Sequence, residues 1–262
     1  MSDNGYFGSE QDESSSVLQG SPSQSARKHS LNINSIEEDE KRINHFATGM
    51  NGYKMFWVFM FACIFGVFVE TVFWFIRTQQ IESRASFVFG PLNLVYGVGG
   101  FFLTVILYRL REKPLIVIAV VGAMIGCSVE YLCSFFQEHI FGSVSWHYSD
   151  HFDIGGRTNL KYAIFWGILA IFWIKVMYPL LSKAVLLIPQ RIGKTLTWLI
   201  VIFMVLNLGL SFLSVRRWME RRANPEPVNT ADHLMDKWFP DDSMEEVFPN
   251  MRYLDNDKAS DK

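Results

Sequence analysis

The chain has 262 residues, half of them hydrophobic, with 24 basic and 26 acidic side chains and a formal charge of -2. That balance argues against a nucleic-acid partner, which needs a basic surface. Its three cysteines, Cys63, Cys127 and Cys133, all lie in apolar runs, without the spacing of a disulfide frame or a zinc site.

Residues 1–52 are polar, with the serine run Ser14-Ser15-Ser16 and the acidic run Glu37-Glu38-Asp39-Glu40. So little apolar surface cannot offset chain entropy, so the expectation is a disordered tail in which Ile33, Ile36 and Ile43 could seed a short helix. No cleavable signal peptide is expected, because the first apolar run starts too late and runs too long for one.

Residues 53–215 form the expected membrane domain. Runs near 20 residues are long enough, at 1.5 Å rise each, to cross a ~30 Å hydrocarbon core. The hydropathy pattern places spans at about 54–77, 89–110, 115–139, 162–181 and 195–213. The expected fold is an all-α integral membrane protein of about five transmembrane helices with polar, disordered tails. Residues 216–262 start with Arg216, Arg217, Arg221 and Arg222 and turn acidic, which reads as a floppy extension.

In the first span, Gly66, Glu70, Trp74 and Arg77 recur at helical spacing and share a face. Glu70 lies about 10 Å inside the membrane edge by helix rise. The second span opens with Gly90-Pro91 and continues through Tyr96-Gly97, a breaker at the membrane entrance. The third carries Gly122, Gly126, Glu130 and Ser134 four residues apart, a small-residue stripe that lets a neighbour approach the carboxylate. The loop after it holds Trp146, His147, Tyr148, Ser149, Asp150, His151, Asp153 and Arg157, too many hydrogen-bonding side chains for a plain linker. Its His and Asp spacing matches no metal-ligand motif, so neither a metal nor a cofactor is expected. The fourth span starts near Trp166-Gly167, and the fifth, without a strong ionisable group, reads as scaffold.

Helix direction ties these residues together. Call the side where the first span starts side A, and the opposite side B. Glu70 and Glu130 then lie at similar depth, nearer side B, where Arg84, Gly90-Pro91, the 146–157 loop and Trp166 also fall. Two carboxylates at one depth must share a proton or find cations, and ionisable residues inside a span mark function by default. The expected site is one polar pocket near side B, drawn from Glu70, Arg84, Gly90, Pro91, Tyr96, Glu130, Ser134, Trp146, Tyr148, Ser149, Arg157 and Trp166. Basic residues around the side-A loops (Arg109, Arg111, Lys113, Lys183, Arg191, Lys194) outnumber those around the side-B loops, which puts the N-terminus in the cytoplasm. The four arginines after the last span pull the other way.

In order and spacing, several motifs over residues 61–189 resemble those of a known family. They are Glu70-Thr71, Arg84, Gly90-Pro91 with Tyr96-Gly97, Glu130-Tyr131 with Ser134 and Glu138, Trp146-His147-Tyr148-Ser149, Gly156-Arg157 and Trp166-Gly167. The family is the CmpB type of ABC-transporter permeases, multi-pass bacterial membrane proteins. The chain departs from it at His147, where the family has Asp, at Ser83-Arg84-Ala85, where it often has Asn-Arg-Gly, and at Gly155, where it has Asn. The resemblance implies a permease in a bacterial inner membrane. No Gly-x-x-x-x-Gly-Lys-Ser/Thr segment is present, so any ATPase would be a separate subunit.

Three functions remain open at this point. The chain could be a permease or small-solute-binding component using Glu70, Glu130, Arg84 and Arg157. It could be a membrane-embedded enzyme whose paired carboxylates act as acid and base, or a structural or signalling protein whose polar residues hold helices together. Its partners would be the lipid bilayer, a separate ATPase subunit or a second copy of itself.

Overall fold

The computed structural model describes residues 33–43, 45–149 and 152–254. The expectations for residues 1–32 and 255–262, and for Asp150 and His151 in the polar loop, lie outside these residues.

In chain order the helices are α1 (Ile33–Arg42), α2 (Gly52–Thr78), α3 (Leu94–Leu110) and α4 (Leu115–Phe141). Then come α5 (Leu160–Phe172), a π turn over Trp173–Met177, α6 (Tyr178–Leu186), α7 (Gln190–Arg221), α8 (Thr230–Trp238) and α9 (Asp241–Val247). Four helical segments are long and apolar enough to cross a membrane: α2, α4, the Leu160–Leu186 unit and α7. The protein is an all-α integral membrane protein. Helix α3 has 17 residues and is about 25 Å long, a few ångströms short of a bilayer core.

Local chemistry sets these boundaries. Asn51 caps α2 by accepting from the Lys54 N–H, and α2 ends where Gln79 turns left-handed (φ 58°) and donates to the Phe75 carbonyl. Gly142 ends α4 in the same way. The π turn ends two residues before Pro179, which has no N–H to bond back and whose ring would clash in a regular α turn.

One expected boundary shifts. Gly90-Pro91 does not open the second span but lies in a loop before it. Gly90 has φ 83°, outside the helical region, and the helix starts only where Asn93 accepts from the Val95 and Tyr96 N–H groups. This loop docks on the last span. Phe89 N–H donates to Asn207 Oδ1 (3.2 Å), Asn207 Nδ2 returns a bond to the Phe89 carbonyl (2.8 Å), and Val88 N–H reaches Ser211 (2.9 Å).

Consecutive spans pack side by side, α2 on α3, α3 on α4 and α4 on α5. Helix α4 is drawn tight to α5 because Gly126 has no side chain: a Cβ there would overlap the Trp166 indole. Between α3 and the π turn, Trp173 Nε1 donates to Thr104 Oγ1 at 2.8 Å, both buried. On α7, Trp198, Leu199, Ile202, Val205 and Leu206 point outward, as a lipid-facing surface does.

Both ends of the bundle are capped. On side A, α1 is fixed by a buried ion pair between Glu40 and Lys54, with Ser182 donating to Glu40 (2.9 Å) and accepting from Lys54 (3.0 Å). Glu37 pairs with Arg111 at 3.1 Å and accepts from Tyr108. On side B, residues 222–254 fold back along the end of α7. Arg217 and Arg221 share Asp236 (2.8 and 2.7 Å), and Trp218 and Met219 pack with Met244 and Phe248. Strand β1 (Ser143–Val144) pairs antiparallel with β4 (Arg252–Tyr253), and β2 (Asp153–Ile154) with β3 (Thr158–Asn159). Both segments that read as polar tails thus carry helices where described. Glu37, Glu40 and Asp236 pair with basic residues of the helical bundle, and Ile33, Met235, Met244 and Phe248 are buried, while Ile43, Val228, Leu234 and Trp238 stay exposed.

Candidate functional site

Glu130 sits in the second half of α4 and is 6% exposed. Each carboxylate oxygen has its own hydroxyl donor, Tyr148 on Oε1 and Thr158 on Oε2, both at 2.8 Å. The Trp166 indole closes the site from α5. A buried carboxylate is tolerated only when its lone pairs are satisfied, and here they are. The 146–159 segment makes this possible. Tyr148 N–H donates to the Gly156 carbonyl (2.8 Å), Trp146 Nε1 to the Arg157 carbonyl (2.9 Å) and Gly156 N–H to Asp153 (2.7 Å), so the chain folds back over Glu130. Burial and the neighbouring Glu130 charge hold the Tyr148 hydroxyl well above its ordinary pKa, so it remains a donor.

Glu70 is different. It lies on α2, about 12 Å from that helix's side-B end by helix rise, against about 16 Å for Glu130 on α4. It is only half-buried and faces the Arg84 charge and the Asn93 amide, and it feels the charge of Glu130. Tyr96 lies within electrostatic reach of both carboxylates, and its ring packs on Trp166 at 5.5 Å.

Arg84 folds back onto α2 from the α2–α3 connection. Its guanidinium lies 4.0 Å from the centre of the Trp74 ring, and it pairs with Glu82 at 3.1 Å. The side chain is 8% exposed, and burial lowers its pKa against the pull of Glu70 and Glu82; a guanidinium stays charged all the same. Arg84 Nε and Trp74 Nε1 are buried without an acceptor among the described residues.

The structure therefore joins Glu70, Arg84, Tyr96, Glu130, Tyr148 and Trp166 of the expected residues, with Trp146 holding the loop. It separates the rest. Arg157 pairs with Glu138 and lies over the Tyr131 and Phe135 rings (5.3 and 5.7 Å), so it answers a different acid. Gly90 and Pro91 are exposed in the loop on α7, and Ser149 is exposed. Ser134 is buried one turn beyond Glu130. Four residues outside the expected set belong to the site: Trp74, Asn93, Thr158 and Tyr162, whose ring packs on Tyr148 at 4.6 Å. Trp74 was findable, since it is one turn from Glu70 on the same face; a lone loop threonine carries no such signal.

An apolar void of about 10 Å³ lies between Tyr96, Trp166 and Trp173. Among the described residues no group of three or more His, Cys, Asp or Glu could hold a metal ion. A carboxylate pair with hydroxyl donors can hold a cation, an ammonium or a proton.

No curated protein and no solved structure matches the chain. The family described as "Putative ABC-transporter type IV" (ABC_trans_CmpB) matches residues 57–212, from within α2 to within α7. That range holds both carboxylates, Arg84 and the 146–159 loop; α1, α8 and α9 lie outside it. The chain belongs to this family.

Proposed function

We propose that the chain is the membrane-spanning, permease-like component of a transporter and engages a small polar solute at the Glu70–Glu130 cluster near side B. The observation that carries this reading is the pairing itself: carboxylates from α2 and α4 within each other's field, one satisfied and one half-buried beside Arg84. Burying two carboxylates in a bilayer is costly, and such groups line ion and substrate paths. The basic residues around the α3–α4 and α6–α7 connections support a cytoplasmic N-terminus, so the site faces outward. The membrane is the bacterial inner membrane, and a separate subunit supplies any ATP hydrolysis.

The test is a solute-binding screen of the purified full chain, with Glu70→Gln, Glu130→Gln and the double variant. The reading expects a solute whose binding is lost in Glu70→Gln while the protein stays folded. It fails if no solute binds and the double variant fully complements a deletion strain.

A second reading rests on the saturation of Glu130, whose two hydroxyl partners come from the loop and from β3. There the cluster is a clamp joining α4, the loop and α5. Solute binding separates the two, since both expect Glu130→Gln to lose stability: a clamp predicts that loss with no solute bound in a Glu70-dependent way.

A further inference from the structure

Two buried donors stand together at the side-B end of α2. Trp74 Nε1 and Arg84 Nε have no acceptor among the described residues, and they belong to one stacked pair with the guanidinium 4.0 Å from the ring centre. Arg84 is more than nine-tenths buried. An unmet buried donor costs about 1–3 kcal/mol, and here two occur side by side. Trp74 is one turn from the end of α2, the level at which phosphate groups of a bilayer meet the chain. Glu70 is one turn deeper on the same face, with its carboxylate half-buried.

We infer that Trp74, Arg84 and Glu70 form a subsite for a phosphate–ammonium zwitterion of the phosphoethanolamine type, as a lipid headgroup or as a free molecule. The charges select it. A simple anion accepting from Arg84 and Trp74 would sit in the field of Glu70, Glu82 and Glu130. A simple cation at Glu70 would meet Arg84 and leave both donors unmet. A zwitterion puts its phosphate oxygens on the two donors and its ammonium on Glu70. The two ends must be about one helix turn apart, ~5.4 Å, which suits a phosphate and an ammonium joined through two carbons better than an α-amino acid. A primary ammonium donates hydrogen bonds to Glu70; a trimethylammonium cannot. The inference rests on Glu70 being ligand-facing, as in the proposed function.

The experiment titrates the detergent-purified full chain with short-chain phosphatidylethanolamine, phosphatidylcholine and phosphatidylglycerol, and with free phosphoethanolamine and glycine, read by native mass spectrometry or calorimetry. Phosphatidylethanolamine should bind about tenfold tighter than the other two lipids, the size of one charge-assisted hydrogen bond. Trp74→Phe keeps a ring but removes its N–H, and Arg84→Lys keeps the charge but replaces the planar guanidinium and its Nε–H with a single ammonium that cannot present a donor from the same place; each should weaken that binding about fivefold to tenfold. Glu70→Gln should erase the preference for the ethanolamine over the choline lipid. Competition by free phosphoethanolamine, but not glycine, assigns a soluble source; binding of the lipid alone assigns the headgroup. Equal affinity for the three lipids, or unchanged affinity in Trp74→Phe and Arg84→Lys, overturns the inference. That result leaves the proposed function standing if another solute binds in a Glu70-dependent way. Selective ethanolamine binding with full complementation by the double Glu variant would sink transport and keep the subsite.

Discussion

Glu70 and Glu130 are the same residue type at similar depth on neighbouring parts of one bundle, yet their surroundings are opposite. Glu130 is enclosed, and each oxygen has a hydroxyl donor at 2.8 Å. Glu70 is half-buried beside a cation that still has an unmet donor. The difference lies in their neighbours: Tyr148 and Thr158, from the described parts of the 146–159 segment, close over Glu130, whereas Glu70 lies beside Arg84 and Asn93 of the α2–α3 connection and near Tyr96 of α3. A carboxylate with a hydroxyl donor on each oxygen stabilises a fold, and the proposed ligand site is assigned to Glu70, which lies beside the unmet Trp74 and Arg84 donors.

The comparison can be broken most forcefully at the enclosed carboxylate. Trp166→Ala should cost about 3–5 kcal/mol, because it opens a cavity where the indole packs against Gly126 between α4 and α5. Glu130→Ala should cost about 3 kcal/mol by leaving the Tyr148 and Thr158 hydroxyls unmet, while Glu70→Ala should cost under about 1 kcal/mol. Thermal or denaturant unfolding in detergent measures all three, and equal losses for the two Glu variants would erase the distinction. Thr158→Val removes one of the two donors and should cost about 1 kcal/mol.

A third carboxylate, outside the membrane, sharpens the contrast by responding to pH. Hydrogen bonds from Arg217, against a smaller cost of burial, hold Asp236 down to about 2. Its unfolded value is about 3.9, so the stability it contributes is present above pH ~4 and lost as pH falls towards 2. Asp236→Asn should cost about 1 kcal/mol at neutral pH and flatten the loss between pH 4 and 2. An unfolding series across that range checks it. The smallest effect belongs to Ser149→Ala, expected within about 0.5 kcal/mol because the side chain is exposed.

The spans were legible because hydropathy over 20-odd residues is a strong and local signal. Helix rise alone implies similar depths for Glu70 and Glu130, and the described helix bounds put them about 12 and 16 Å from their side-B ends. Residues whose partners lie far along the chain were not legible. Gly90-Pro91 reads as a helix start until Asn207, more than a hundred residues later, takes up the loop's backbone groups. Arg157 counted as a cation for Glu70 or Glu130, but β2 and β3 turn it towards Glu138. The segment after α7 looked too polar to fold, and its charges are what dock it, through Arg217, Arg221 and Asp236. One local clue was present there: Asn229 and Asp232 cap α8 reciprocally, a pattern written in four consecutive residues.

The most direct test compares access to the two carboxylate positions. Single-cysteine variants Glu70→Cys and Glu130→Cys, with Cys63, Cys127 and Cys133 replaced by alanine, would be treated with a small charged thiol reagent from each side of sealed vesicles. The account predicts fast modification at position 70 from side B alone and protection at position 130 in protein that remains folded. Equal reaction at both positions, or reaction at 130 and protection at 70, would contradict it.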